Sequence, residues 1–190
     1  TTYYYYVGYH MAAKGDGGCV TPDTLVTLAD GTQKRVDELS FGDKILAWGL
    51  FIGSYVEKDI SLLVNHGADV YDVIYTEYSD GTLLKLIAEH CVFDYDLNRF
   101  VYLTAENVSE YVGHRFVKQF LSGGYDIVTL EKGYVVKEYV EAWSVSSAET
   151  SNAFASGLLT VAPPEDFYNW VEMEGKLHYD TEQFAQDVAT

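Results

Sequence analysis

Short β-prone segments that alternate with turn residues run through most of the chain, and this pattern constrains the fold more than any other feature. Two Asp-Gly pairs, Asp30-Gly31 and Asp80-Gly81, lie between such segments and predict hairpin turns. Hydrophobic residues make up 48% of the sequence and aromatic residues 15%, which is enough to build a sizeable core. We therefore expect an all-β domain.

Several local features refine this expectation. Residues 52–64 and 69–78 each look like a strand, with a loop between them, and Lys132-Gly133 looks like a turn between two later strands. Thr104 is a plausible N-cap for a short helical turn that runs through Glu110. Residues 28–32 resemble residues 78–82, and this weak internal repeat fits two related β halves in a pseudo-twofold arrangement.

Composition divides the 190 residues into three parts. Residues 1–18 form an upstream tyrosine-rich segment and a linker of small residues, and residues 19–162 contain the predicted strands. Residues 163–190 follow a Pro-Pro pair, and we expect them to form a short helical tail. The chain begins Thr-Thr-Tyr with neither an initiator Met nor a signal sequence, so we interpret it as part of a longer polypeptide.

The charge of the chain excludes some classes of partner. The formal net charge is -17, whereas binding to phosphate groups requires clustered Lys and Arg, so we expect no nucleic acid partner. The sequence lacks an apolar run long enough to cross a bilayer, and we expect no membrane insertion. The two cysteines lack metal-ligand spacing, and we expect neither a metal nor a cofactor.

Two glycines directly precede Cys19, and this arrangement suggests that the thiol reacts with its own upstream peptide bond. A thiolate at Cys19 can attack the carbonyl carbon of Gly18, which converts the amide into a thioester. Gly18 favours this reaction because glycine tolerates a strained backbone and has no side chain to block the attack. The departing amide nitrogen needs a proton, which a histidine can supply as general acid.

His90 is the best candidate for this acid because it lies where a turn leads into a strand, after the second Asp-Gly hairpin. Asn65 and Gly67 flank His66, which we therefore expect in an exposed loop. The other candidates are His10, His66, His114 and His178. For each of the five histidines, the alternative is a surface or hydrogen-bonded residue without a catalytic role.

Three segments resemble motifs of the Hint superfamily, which comprises inteins, bacterial intein-like domains and the autoprocessing domain of Hedgehog proteins. They are CVTPDTLVTLADGTQKRVDELSFGDKILAW at residues 19–48, GTLLKLIAEHCVF at residues 81–93 and EAWSVSSAETSNAFASGLLTV at residues 141–161. The resemblance implies a horseshoe-like β domain with pseudo-twofold symmetry, in which Cys19 is the nucleophile and His90 takes the histidine position. It also implies that the module belongs to a larger bacterial protein at the cell surface or outside the cell.

The sequence departs from the family pattern at positions that matter for the reaction. Ile87 replaces the threonine of a Thr-x-x-His motif, and Ser151 and Ser156 replace a histidine and an asparagine near the end of the domain. A terminal His-Asn pair is also missing, so we expect no splicing. The resemblance then implies an N-to-S acyl shift at Gly18–Cys19, followed by cleavage or acyl transfer of the upstream segment.

The chain's own flanking polypeptide is therefore the expected substrate, with water, a thiol or an amine as acyl acceptor. Asp23, Thr24 and Ser151 are candidate supporting residues, although a turn or strand role is the alternative for Asp23 and Thr24. Cys91 is expected to be a small buried hydrophobe. An inactive Hint-fold module with a structural or interaction role is the main alternative, and a conventional cysteine hydrolase is a weaker one.

Overall fold

A computed structural model describes residues 18–50, 52–87 and 90–162. Within these residues the chain forms twelve strands and two short 3₁₀ helices. The strands are β1 Cys19–Val20, β2 Leu25–Thr27, β3 Gln33–Arg35, β4 Lys44–Gly49, β5 Ser54–Tyr78, β6 Leu83–Ile87, β7 His90–Asp94, β8 Arg99–Leu103, β9 Arg115–Gln119, β10 Tyr125–Ser147, β11 Asn152–Ala155 and β12 Leu158–Val161. The 3₁₀ helices are η1 Val36–Glu38 and η2 Val108–Tyr111.

All pairings among the named strands are antiparallel, and they join the strands into one large sheet. The order is β3-β2-β11-β12-β7-β9-β10-β1-β6-β5-β4, with β8 paired to β7 and a further pairing between β10 and β5. The all-β prediction is confirmed. The short strand β1 lies between β6 and β10, so Cys19 and Val20 have a neighbouring strand on both sides.

The two predicted Asp-Gly hairpin turns are confirmed, and they have the same geometry. The N–H of Gly31 donates to the carbonyl of Leu28 at 2.9 Å, and the N–H of Gly81 donates to the carbonyl of Tyr78 at 2.9 Å. Both glycines have a positive φ, 89° and 90° respectively, which favours glycine over residues with a side chain. The weak sequence repeat therefore corresponds to two turns of the same kind.

The prediction of two strands at residues 52–64 and 69–78 was wrong in one respect, because β5 is continuous through both. Its pairing with β10 shifts register between Asn65 and Ala68, so that His66 and Gly67 together oppose the single residue Ala142. This is a β-bulge, and Gly67 adopts the positive φ of 87° that such bulges often require. Gly67 therefore marks a bulge inside a strand and not the expected loop.

The predicted turn at Lys132-Gly133 was also wrong, because β10 continues through both residues. A register shift lies between Leu130 and Lys132, and Gly133 is close to η2. A Cβ atom at position 133 would lie 2.7 Å from the Cγ2 atom of Val108, so a side chain there would force the neighbouring segment to shift. The glycine therefore permits a close approach of two segments rather than a change of chain direction.

The prediction of an N-cap at Thr104 was wrong in position, because the N-cap of η2 is Asn107, whose side chain makes no capping bond to the helix. The hydroxyl of Thr104 instead accepts a hydrogen bond from the N–H of Asn107 at 3.1 Å, and the side-chain oxygen of Asn107 accepts one from the N–H of Thr104 at 2.8 Å. The helical residues that follow are η2, so the helix begins slightly later than expected. Thr104 and Asn107 thus form a reciprocal pair of side-chain-to-backbone hydrogen bonds in the turn that precedes η2.

The core consists of apolar side chains that the strands bury almost completely. Its largest fully buried side chains are Phe93, Phe100, Phe116, Phe154, Ile45, Ile74, Leu84, Leu86, Ile87, Leu103 and Leu130. Within the described part of the chain, no helix is long and apolar enough to cross a bilayer. The predicted upstream segment up to residue 17 and the predicted helical tail at 163–190 lie outside the described residues.

Candidate functional site

Cys19 lies at the start of β1, completely buried between two longer strands. On one side it pairs with Ile87 of β6, and on the other side the next residue, Val20, pairs with Trp143 of β10. The exposed fraction of Cys19 is 0%. Its apolar neighbours in the same cluster include Val73, Ile87 and Ala142. The expected nucleophile is therefore held in a defined position and shielded from bulk water.

A single hydroxyl group contacts both the thiol of Cys19 and the peptide group that precedes it. The Oγ atom of Ser144 donates a hydrogen bond to the carbonyl oxygen of Gly18 at 3.0 Å, and it lies 3.4 Å from the Sγ atom of Cys19. Gly18 is buried and has a positive φ of 73°. The thiol and the carbonyl that the sequence singled out as its target are thus bound to the same side chain.

His66 contacts this hydroxyl from the bulge in β5. Its Nε2 atom lies 2.9 Å from the Oγ atom of Ser144. The bulge is stabilised by the side-chain oxygen of Asn65, which accepts a hydrogen bond from the N–H of Gly67 at 2.9 Å. Because a bulge changes the direction of side chains along a strand, it can direct the imidazole toward a residue on the neighbouring strand. His66 itself is exposed, as predicted, but it lies in a strand and not in a loop.

His90 begins β7, three residues after the position that pairs with Cys19. Its side chain is 5% exposed, and its Nδ1 atom donates a hydrogen bond to the carbonyl oxygen of Cys91 at 3.1 Å. Burial lowers the pKa of His90 to about 4, although the hydrogen bond to Cys91 partly opposes this effect. The imidazole is therefore neutral at pH 7, with its proton on Nδ1 and its Nε2 atom unprotonated.

The candidate supporting residues Asp23 and Thr24 lie in the turn that follows β1. The hydroxyl of Thr21 donates to the carboxylate of Asp23 at 2.7 Å and lies 3.0 Å from the hydroxyl of Thr24. Lys85 on β6 donates to the other carboxylate oxygen of Asp23 at 2.9 Å. Burial alone would raise the pKa of Asp23, but the hydrogen bonds from Lys85 and Thr21 outweigh it, so the pKa is lowered. These contacts fix the path of the chain as it leaves β1.

Ser151, the third candidate, lies in the turn between β10 and β11. It is half-buried, and its φ is positive at 58°. Its N–H donates to the carbonyl of Ser147 at 3.0 Å, which closes the turn. The next residue, Asn152, is buried and bonds with both backbone groups of Trp48, so this turn is held against β4.

The sequence departure at Ile87 can now be described in structural terms. Ile87 is fully buried against Cys19, so β6 presents an apolar surface to the thiol where the family motif has a hydroxyl. The hydroxyl group at the Gly18 carbonyl comes instead from Ser144 on the opposite side of β1. Cys91 is a fully buried cysteine that is not in a disulfide, and it lies in an apolar cluster with residues such as Phe93 and Val161, as expected for a small buried hydrophobe.

Sequence reasoning did not find Ser144, and it considered His66 only as one of the other histidine candidates, expected in an exposed loop. Ser144 lies within the motif-like segment at residues 141–161, but the site hypothesis for that segment concerned only the substituted positions Ser151 and Ser156. The signal for His66 was Gly67, because a glycine between two strand-like runs predicts a bulge as well as a loop. The contact between them joins positions 78 residues apart and depends on the register of β5 against β10.

One group of side chains has the composition of a metal site. Ligand atoms of Asp94, Asp96 and His114 lie within 4.8 Å of one another. These side chains already bind other protein groups. His114 bonds with the buried carboxylate of Asp94 at 2.6 Å, and Arg115 donates to Asp96 at 2.6 Å. The guanidinium adjacent to Asp96 also disfavours a cation, so the group reads as a structural network that joins β7, β9 and the turn after β7.

The fold is that of inteins and intein-like domains. A DnaB intein from Synechocystis sp. PCC 6803 matches with 15% identity and a TM-score of 0.62, covering 76% of this chain and 98% of its own. The TvoVMA intein matches with 19% identity and a TM-score of 0.62, covering 76% and 96%. A bacterial intein-like domain from Clostridium thermocellum matches with 14% identity and a TM-score of 0.61, covering 75% and 97%. A sequence comparison with curated proteins finds no significant match.

A family model described as the Hint module matches residues 9–142, which is more than half of the chain. The chain belongs to the Hint family, and the resemblance drawn from its motifs is confirmed. Its strands continue beyond the matched residues as far as Val161. Membership of this family suggests a capacity for self-processing in general.

Proposed function

We propose that this module rearranges its own peptide bond between Gly18 and Cys19 by an N-to-S acyl shift, without splicing. The observation that carries the proposal is the shared contact of Ser144 with the Gly18 carbonyl oxygen and the Cys19 thiol. Nucleophile and electrophile are neighbours in the chain, so their approach needs no binding step, and β1 restricts their orientation. The reaction turns over once per molecule, with the chain's own upstream segment as the acyl group.

The shift is a redistribution of bonds within one molecule. The Sγ–H proton is removed, the Sγ atom bonds to the Gly18 carbonyl carbon, and the carbonyl oxygen becomes an oxyanion. The C–N bond then breaks, and a proton is delivered to the nitrogen, which becomes the α-amine of Cys19. We assign this proton transfer to His90, since a neutral imidazole with an unprotonated Nε2 first accepts a proton and can then donate it. Support comes from its lowered pKa and from its position at the start of β7, three residues after Ile87, which pairs with Cys19.

The thioester is then resolved by water, a thiol or an amine, which releases or transfers residues 1–18. Because splicing needs further chemistry at a downstream junction, the absence of the His-Asn pair from the end of the motif favours cleavage or transfer alone. We also propose that the module is part of a larger bacterial protein at the cell surface or outside the cell, as the resemblance implies.

The test is incubation of the full chain with dithiothreitol, followed by mass spectrometry. We expect a product that begins at Cys19, and its formation should stop in a Cys19→Ala variant. A Cys91→Ala variant is the matched control, because it removes a buried thiol that lies in a different apolar cluster. Equal cleavage in wild type and Cys19→Ala would exclude the reaction.

A second candidate function is an inactive structural or interaction module. The apolar contact of Ile87 with Cys19 favours it, because a buried aliphatic side chain offers no hydrogen bond to a developing charge. The two candidates differ in one outcome. An inactive module keeps residues 1–18 attached through prolonged incubation with a thiol, whatever residue occupies position 19.

A further inference from the structure

We propose that Ser144 is a catalytic residue that stabilises the oxyanion at Gly18, and that His66 is the positioning residue that holds its hydroxyl in place. This inference rests on the proposed acyl shift and adds two groups to it. The Oγ–H of Ser144 already donates to the oxygen on which negative charge develops, at 3.0 Å. A donor that is in place before the reaction stabilises the transition state without reorganisation.

The hydrogen-bonding capacity of a serine hydroxyl fixes the role of each partner. The group has one proton and two lone pairs. Its proton is used by the carbonyl of Gly18, so its oxygen can only accept from His66, whose Nε2 must carry a proton. The remaining lone pair faces the thiol of Cys19 at 3.4 Å. All three positions of the hydroxyl are then occupied by groups that belong to the reaction site.

The two donors form a chain that ends at the reacting carbonyl. His66 donates to Ser144, and Ser144 donates to Gly18, so each bond polarises the next. In a buried site this arrangement strengthens the final bond as negative charge grows on the carbonyl oxygen. The Ser144 side chain is 2% exposed, so water does not compete for its proton. The bulge that displaces His66 from the regular pleat of β5 is what allows the contact.

The position of Ser144 also supplies the hydroxyl that β6 lacks, since β6 places the buried aliphatic side chain of Ile87 opposite Cys19. The hydrogen bond to the Gly18 oxygen comes from β10, on the side of β1 opposite to Ile87. Ser144 lies on the strand that β1 pairs with, next to Trp143, so the hydroxyl and the carbonyl are held by the same ladder. The inactive alternative rests on the absence of a hydroxyl at position 87. Ser144 provides a hydroxyl at the Gly18 carbonyl in its place.

The decisive experiment compares Ser144→Thr with Ser144→Val. These variants have the same shape and both fit a strand, and they differ only in the hydroxyl. The rate of dithiothreitol-dependent release of residues 1–18 from the full chain is measured by mass spectrometry. We expect Ser144→Thr to react within a few-fold of wild type and Ser144→Val to react about 100-fold more slowly, the loss typical of one oxyanion donor.

His66 is tested by the same assay with His66→Ala and His66→Gln. An alanine removes the donor to Ser144, and we expect a loss of about fivefold, the equivalent of one neutral hydrogen bond. The side-chain amide of glutamine can donate, so His66→Gln should recover most of the rate. In the Ser144→Val background, His66→Ala should cause no further loss, because the two residues act through one hydroxyl.

The outcomes separate this inference from the function on which it rests. Equal rates for Ser144→Thr and Ser144→Val in a reactive protein overturn the role of Ser144 alone. An additive loss from His66→Ala in the Ser144→Val background overturns the role of His66. A wild-type chain that releases nothing, and behaves like Cys19→Ala, overturns the acyl shift and the inference together.

Discussion

Replacing His90 with glutamine should remove a specific part of the pH dependence of stability. In the folded chain burial lowers the pKa of His90 from its ordinary 6.5 to about 4. The unfolded chain therefore binds a proton at this residue below pH 6.5, while the folded chain stays unprotonated until about pH 4. Stability from this group is fully present above pH 6.5 and is lost as the pH falls toward 4.

The size of the effect follows from the two pKa values. A difference of about 2.5 pH units, at about 1.4 kcal/mol per unit, gives a loss of about 3 kcal/mol in the free energy of unfolding. Carboxylates whose pKa is lowered in the folded chain contribute mainly below this window. Hydrogen bonds from Ser40 and Lys34 lower the pKa of Asp43 below 3.8, so its contribution is lost only under more acidic conditions. The interval from pH 6.5 to 4 is thus the one that reports on His90.

The assay is urea denaturation of wild type and His90→Gln at several pH values between 7 and 4. The difference between the two curves cancels titrations that both proteins share. We expect the wild type to lose about 3 kcal/mol more than the variant across this interval. Parallel curves would refute the reasoning, because they would mean that His90 has the same proton affinity in the folded and unfolded chain.

Two further substitutions test the packing around the site. Asn152→Ala should lower the free energy of unfolding by about 2–4 kcal/mol in urea denaturation, because it removes both buried hydrogen bonds that Asn152 makes with the backbone of Trp48. A change below 1 kcal/mol, about the worth of one ordinary hydrogen bond, would contradict this account. Gly133→Ala should cost about 1–3 kcal/mol, since the new Cβ would lie 2.7 Å from Val108. Val108→Ala in the same chain should recover part of that loss, and a double-mutant cycle without coupling would show that the clash is not the cause.

The sequence was sufficient to predict the class of fold because its turn chemistry is local. The two Asp-Gly turns are each set by a few neighbouring residues, and both were confirmed. The two wrong predictions, a loop around His66 and a turn at Lys132-Gly133, share a cause. Glycine permits both a reversal of the chain and a bulge or close approach within a strand, and only the pairing of β5 with β10 decides between them.

The candidate site could be predicted only in part, for a similar reason. Cys19 and Gly18 are adjacent in sequence, so their relationship could be inferred from the order of residues alone. Ser144 and His66 reach them only through long-range register, in which β1 pairs with β10 and β10 pairs with a bulged β5. A serine in a strand and a histidine beside a glycine carry no local signal of that contact. The role of His90 stays a prediction that its burial and lowered pKa support.

The most direct test of the central claim is to trap the acyl group with hydroxylamine. A thioester at Cys19 would react to give residues 1–18 with a hydroxamic acid at Gly18, and a second fragment that begins with a free Cys19. We predict both fragments by mass spectrometry for the wild-type chain and neither for Cys19→Ala. A wild-type chain that keeps its full mass under these conditions would contradict the account.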